Sequence, residues 1–101
     1  MRMMMHVTFP HEPFNAAVRD GSVGAKMKRI HEQLKPEAAY YTAWDGHRSA
    51  FLIFDLADPS KIPSFAEPWF LLFNADVQLY PVMNGPDLAA AGLEGLGKAW
   101  G

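Results

Sequence analysis

The sequence contains no cysteine, which excludes disulfides, thiolate catalysis and zinc or iron–sulfur sites built on cysteine. No apolar run approaches the ~20 residues that cross a bilayer. The opening MRMMMHVTFP has too short an apolar run for a signal peptide and carries His6 within it. The largest cluster of basic residues is KMKR, Lys26–Arg29, so we expect no nucleic-acid partner. These absences predict a cytoplasmic protein with no membrane partner.

What is present is typical of one globular domain. The chain has 101 residues, of which 50% are hydrophobic and 20% charged, with a formal net charge of −2. A chain of this length buries roughly two-thirds of its unfolded surface, which is enough for one modest core. We expect a single domain over residues 1–101, with a core in 1–84 and a C-terminal tail in 85–101.

Hydrophobic periodicity predicts the order of the elements. Residues 1–9 alternate as a strand, and Val23, Met27, Ile30 and Leu34 form one stripe of a helix over 15–34 that is interrupted at 20–22. Ser22 is expected to cap its second half. Residues 38–44 and 48–56 predict a hairpin around Asp45-Gly46, because this dipeptide suits a type I′ turn.

The second half of the chain supplies another helix and another strand. Asp58-Pro59 is a good helix start, and the helix is expected to run to about residue 74 with a kink or break at Pro68. Residues 76–82 alternate as the last strand, and 87–100 predict a weakly helical tail. The tail is expected to cover a sheet edge, exchange onto a partner, or fray.

The order β-α-β-β-α-β predicts an α+β, ferredoxin-like antiparallel sheet with both helices on one face. The other face would carry Met4, His6, Tyr80 and half of the hairpin aromatics. That face is too apolar for water, because large exposed apolar patches usually mark an interface or a ligand groove. A second copy of the chain is the simplest cover, so we expect a homodimer.

Several phrases of the sequence resemble a known group. They are MRMMMHVTFP, NAAVRDGS, LKPEAAYYTAWDGHR, FDLADPSKIPSFAEPWF and NADVQLYPVMNGPDL. The chain is similar to an uncharacterised bacterial family of the dimeric α/β-barrel superfamily, related in fold to antibiotic-biosynthesis-type monooxygenases. The resemblance implies that two ferredoxin-like sheets pack into a barrel. It does not choose a reaction, since the superfamily contains monooxygenases, isomerases, haem enzymes and ligand-binding regulators.

The resemblance also bears on cofactors. Haem-degrading members of the superfamily place a histidine on the second helix, and SKIPSFAEPWFLLFN has none. Haem bound in that way is therefore disfavoured, and we expect no cofactor. The sequence also lacks the glycine-rich, P-loop, GxSxG and HExxH motifs of nucleotide, triad and zinc enzymes.

His6 is the first candidate for chemistry. Its parity on the first strand places it on the open side of the sheet, inside the expected barrel, and imidazole can act as a general base near neutral pH. The alternative is a hydrogen-bonded structural histidine. The expected ligand-binding residues around it are Met4, Tyr40, Thr42, Glu67, Trp69, Phe70 and Tyr80.

These residues have different expected roles. Tyr40 and Tyr80 would orient a ligand, and Trp69 with Phe70 would form an apolar wall of a cavity between the open sheet face and the second helix. The alternative for each aromatic residue is plain core packing. A metal site would need His6, His11 and Glu12 to converge, at a spacing that matches no standard ligand pattern, so none is expected.

Two functions remain open at this point. The first is a small-molecule-binding dimeric α/β barrel, with or without cofactor-free catalysis of a monooxygenase or isomerase type on an aromatic or carbonyl metabolite. The second is a non-catalytic sensor or structural dimer whose barrel is filled by side chains. Whether the protein is an enzyme is not decided by the sequence.

Overall fold

The computed structural model describes all residues, Met1–Gly101. The elements are β1 (Arg2–Phe9), α1 (His11–Asp20), α2 (Val23–Leu34), β2 (Ala38–Trp44), β3 (His47–Asp55), a 3-10 turn (Pro59–Lys61), α3 (Ile62–Phe73), β4 (Asp76–Pro81), α4 (Gly85–Ala89) and α5 (Leu93–Trp100). No helix is both long enough and apolar enough to cross a membrane.

The four strands form one antiparallel sheet in the order β2-β3-β1-β4. Strand β1 lies between β3 and β4, and the hairpin strand β2 forms one edge. This is the ferredoxin-like arrangement, and it confirms the fold class predicted from the element order. The sheet is open, with β2 and β4 at its two edges.

The core lies between one face of this sheet and helices α1 to α3. Strand β1 buries every second residue, Met3, Met5, Val7 and Phe9, as its alternation predicts. On α2 the stripe is also confirmed, since Ile30 and Leu34 are buried and Val23 and Met27 pack against the same cluster. From α3, Trp69 and Phe73 complete the core with no exposed surface.

Local signals explain most element boundaries. Asp45 and Gly46 have φ of 53° and 80°, as a type I′ turn requires, and Asp58 accepts a hydrogen bond from the Ser60 N–H at 2.9 Å. The expected cap at Ser22 was wrong. Ser22 makes no capping bond, because its backbone is already helical and Asp20 instead accepts from the Ser22 N–H at 2.8 Å. Of the kink or break expected at Pro68, the break does not occur, since α3 continues through Pro68 as one element.

The C-terminal tail projects from the domain. No residue from 85 to 101 is buried, and Leu93, Leu96 and Trp100, which share one side of α5, are 59%, 49% and 88% exposed. The radius of gyration is 17.0 Å, against about 13 Å for a compact chain of this length. Of the three roles expected for the tail, covering an edge of its own sheet is not what the structure shows.

Deleting residues 85–101 is therefore expected to leave the folded core nearly as stable. The tail buries no side chain, so the free energy of unfolding should change by no more than about 0.5 kcal/mol. Urea unfolding at micromolar protein concentration, followed by circular dichroism, measures this. A loss above ~2 kcal/mol would contradict it and would show that the tail packs against a second copy.

Candidate functional site

The face of the sheet opposite the helices carries the candidate site. Paired residues of adjacent strands point to the same side, so the register assigns the side chains. We call this side the open face. Its central residues are Met4, His6 and Thr8 of β1, Tyr40, Thr42 and Trp44 of β2, Ser49, Phe51 and Ile53 of β3, and Gln78 and Tyr80 of β4. The register also places Arg2, Ala38 and Asp55 at one end of this face and His47 and Asp76 at the other.

His6 lies at the centre of the open face, within an aromatic cluster. Its ring stacks on Phe51, with centroids 4.3 Å apart and planes 8° apart, and meets the Trp44 ring edge-on at 5.9 Å. Its Nε2 atom is buried and has no hydrogen-bond partner. An unpaired buried polar atom costs roughly 1–3 kcal/mol, so such atoms are usually paired with water, a ligand or another chain.

Ser49 is a site residue that the sequence reasoning missed. It lies on the open face opposite Thr8 and Thr42, yet it is only 1% exposed, and its Oγ also lacks a partner. A signal was available in the sequence. Ser49 has the parity of Phe51 and Ile53, and it directly precedes the apolar run Ala50–Phe54.

The structure brings Met4, Tyr40, Thr42 and Tyr80 onto the same face as His6. Tyr40 is paired with Phe51, one strand further from His6, and is 68% exposed. Tyr80 is paired with Met4 and is 44% exposed. Their phenol groups make no hydrogen bond to His6 within the chain. They therefore flank the aromatic cluster and remain available to another surface.

Glu67, Trp69 and Phe70 lie on the other side of the sheet. They belong to α3, which packs against the buried residues of β1 and β3. Trp69 has no exposed surface and contacts Phe9 at 5.8 Å between ring centroids. The prediction of a cavity between the open face and the second helix is thus wrong for a single chain, because that helix packs on the opposite side of the sheet from the open face. Trp69 has the core role that was its alternative.

The clefts of the chain lie away from His6. One of about 380 Å³ runs between α2 and α3 and includes Glu67, and one of about 450 Å³ lies beside Tyr41 on the helix side of the hairpin. A third, polar cleft of about 350 Å³ is lined by Thr8, His47 and Asp76 at one end of the sheet. An enclosed site at His6 therefore requires a second surface.

The residues proposed for a metal site do not converge. The His11 ring stacks on His47 at 4.9 Å, while Glu12 accepts from the Ala16 N–H at 3.2 Å and lies 3.6 Å from Arg19. No group of three histidine or carboxylate side chains has the geometry to hold a metal ion.

Charged groups lie at the ends and rim of the sheet, away from His6. Arg2 binds Glu37 through two hydrogen bonds of 3.1 and 3.3 Å, and this partner raises the pKa of the guanidinium. On the helix side, the Tyr41 hydroxyl shares a hydrogen bond with His31, and partial burial raises the pKa of the Tyr41 phenol. The centre of the open face consequently carries no lysine, arginine or carboxylate.

No protein-family model matches the chain, and no curated protein sequence matches it. Among solved structures, the chain is similar to the de novo designed protein Ferredog-Diesel, with a TM-score of 0.49 and 8% sequence identity. The match covers 80% of this chain and 85% of the designed chain. The assignment of the fold rests on the strand order and register, not on this likeness.

Proposed function

We propose that the chain works as a homodimer whose two open faces pack together and hold a small aromatic or carbonyl-containing molecule between them. The observation that carries this proposal is the buried, unpaired Nε2 of His6 within an uncovered aromatic face. In this proposal His6 exchanges a hydrogen bond or a proton with the ligand, while Tyr40 and Tyr80 orient it.

A second copy is the cover that best fits the face. Helices α1 to α3 pack on the opposite side, and the tail has no buried residue, so no part of the chain remains to cover it. A two-fold dimer needs only one self-complementary patch. The sequence resemblance to the dimeric α/β-barrel superfamily supports the same pairing. Membership of that superfamily and a cytoplasmic location stay predictions.

The composition of the face favours an aromatic ligand. His6, Phe51 and Trp44 present planar rings at angles suited to stacking and edge contacts. Ligand pockets are mostly apolar, with a few polar groups that fix orientation, and the open face has this composition. An imidazole beside such a ligand can act as an acid or base, which would make a cofactor-free enzyme.

The second candidate is a dimer without a ligand, in which side chains fill the interface. It is favoured by the absence of any cleft at His6 within one chain. In that case the Nε2 atom of His6 would find its partner on the other copy. The two candidates differ in what contacts this atom, and that contact is what the experiment must detect.

A crystal structure of the protein as purified is expected to show a non-protein molecule between the open faces, in contact with His6. His6→Ala should remove that molecule, because its polar contact is lost. His31→Ala changes a half-buried histidine on the opposite side and should retain it. Native mass spectrometry of all three proteins measures the bound mass. A filled dimer with no bound mass would instead support the second candidate.

A further inference from the structure

We propose that His6 and Ser49 together form a two-point anchor for a ligand oxygen, and that the Trp44 indole is its lid. This inference rests on the proposed ligand site and specifies its chemistry. The ligand it fits is a neutral aromatic molecule that carries a carbonyl or hydroxyl oxygen.

The two anchor atoms share a property with only two other side-chain atoms, Ser22 Oγ and Trp69 Nε1, which belong to the helix layer and not to the open face. His6 Nε2 and Ser49 Oγ are both buried and both lack a hydrogen-bond partner, and they lie on the same face of the sheet. Buried polar atoms in folded proteins are nearly always paired, with protein, water or ligand. Two unpaired atoms on one small surface indicate a common partner.

The register places the two side chains close enough to share that partner. His6 is opposite Phe51, and Ser49 is two residues from Phe51 on the same strand. Such diagonal neighbours have Cα atoms about 7–8 Å apart, with the side chains closer. One oxygen between them can accept from an imidazole N–H and from the Ser49 hydroxyl.

Trp44 covers this anchor. It is paired with His47, while its ring lies 5.6 Å from that of Phe51 and 5.9 Å from that of His6. Ser49 lies between His47 and Phe51 on β3, so the indole must extend over Ser49 to make these contacts. This explains how a serine on the uncovered side of the sheet is 1% exposed.

The lid is placed where it can move. Trp44 is the last residue of β2, directly before the Asp45-Gly46 turn, and it is 55% exposed. Its ring contacts those of His6 and Phe51, and more than half of the residue's surface is uncovered in a single chain. A rotation of this side chain uncovers Ser49 Oγ without disturbing the strand pairing.

The surrounding charges select a neutral ligand. Arg2 is engaged with Glu37 at the end of the sheet, and Arg48 points to the other side, where it donates to Asn15 at 2.7 Å and lies over the Phe14 ring. No lysine or arginine therefore faces the anchor. A carboxylate or phosphate would meet no lysine or arginine there, whereas a ketone or phenol needs neither.

Three probes of similar size test the inference with the purified full chain. Acetophenone carries one neutral carbonyl oxygen. Ethylbenzene has a methylene group in place of that carbonyl, and benzoate carries a negatively charged carboxylate. By NMR titration the wild-type protein should bind acetophenone roughly tenfold more tightly than ethylbenzene, because two hydrogen bonds are gained, and more tightly than benzoate.

The variants separate the anchor from the lid. Ser49→Ala and His6→Phe should each reduce the preference for acetophenone over ethylbenzene, and both should fold, since each removes an unpaired polar atom. Trp44→Ala should weaken both neutral probes by a similar factor, roughly threefold to tenfold, and preserve their ratio. Ser64→Ala, an exposed serine on α3, is the matched control and should change nothing.

The outcomes are distinguishable. An unchanged ratio in Ser49→Ala, with binding retained, would overturn the anchor and leave the proposed ligand site standing. Binding of none of the three probes to a dimeric wild-type protein would overturn this ligand class, while the bound mass of the protein as purified still tests the ligand site itself. Preference for benzoate would overturn the argument from charge.

Discussion

Ile53→Lys is expected to convert the proposed homodimer into a monomer. Ile53 lies on β3 in the open face, paired with Met4 and Ala38, and is half-buried in a single chain. In a two-fold dimer the substitution places two unpaired ammonium groups in one apolar interface. At about 2 kcal/mol for each, the dissociation constant should rise by a factor of roughly a thousand.

Sedimentation velocity over a concentration series measures this effect. The monomer should fold normally, because the lysine faces water once the copies separate, and circular dichroism checks that it does. Leu71→Lys is the matched control, since Leu71 is 79% exposed on α3, on the other side of the sheet. A dimer that survives Ile53→Lys but dissociates with Leu71→Lys would place the interface on the helices and contradict the proposal.

Trp69→Ala is expected to cause the largest loss of stability of any single substitution discussed. Trp69 is completely buried between α3 and the sheet, where it contacts Phe9 and Phe73. Truncation removes its apolar surface and leaves a cavity, which typically costs about 3–5 kcal/mol. Its indole Nε1 has no partner, so no hydrogen bond is lost in addition.

Urea unfolding at a fixed protein concentration gives the free energy of unfolding, since the stability of a dimer depends on concentration. Leu71→Ala, two residues along the same helix and exposed, should change it by no more than about 0.5 kcal/mol. A loss below ~1 kcal/mol for Trp69→Ala would mean that Trp69 is not a core residue. That result would reopen its predicted role in a ligand cavity.

The predictions from the sequence that succeeded rest on short-range patterns. The alternation of β1, the stripe of α2 and the Asp45-Gly46 turn each depend on residues a few positions apart, and the structure confirms all three. The prediction that Ser22 caps α2 was wrong, although capping also involves residues only a few positions apart. Whether a serine or the preceding aspartate supplies the acceptor depends on backbone angles that residue type alone does not specify.

The candidate site was only partly predictable. Parity correctly placed His6, Tyr40 and Tyr80 on one face, because alternation along a strand is a local property. Trp69 was placed beside them on the expectation of a cavity, yet α3 packs on the opposite side. Ser49 was missed because its burial depends on strand pairing, which places it between Thr8 of β1 and Thr42 of β2.

The sequence by itself determined the order of elements and which side of each strand is apolar, since both follow from periodicity along the chain. The tertiary structure decided which apolar side the helices cover and which polar atoms are left unpaired beneath an aromatic ring. Those outcomes depend on strand register and on side chains from separate strands meeting in space. No pattern along one segment contains that information, and for this protein it is where the candidate site arises.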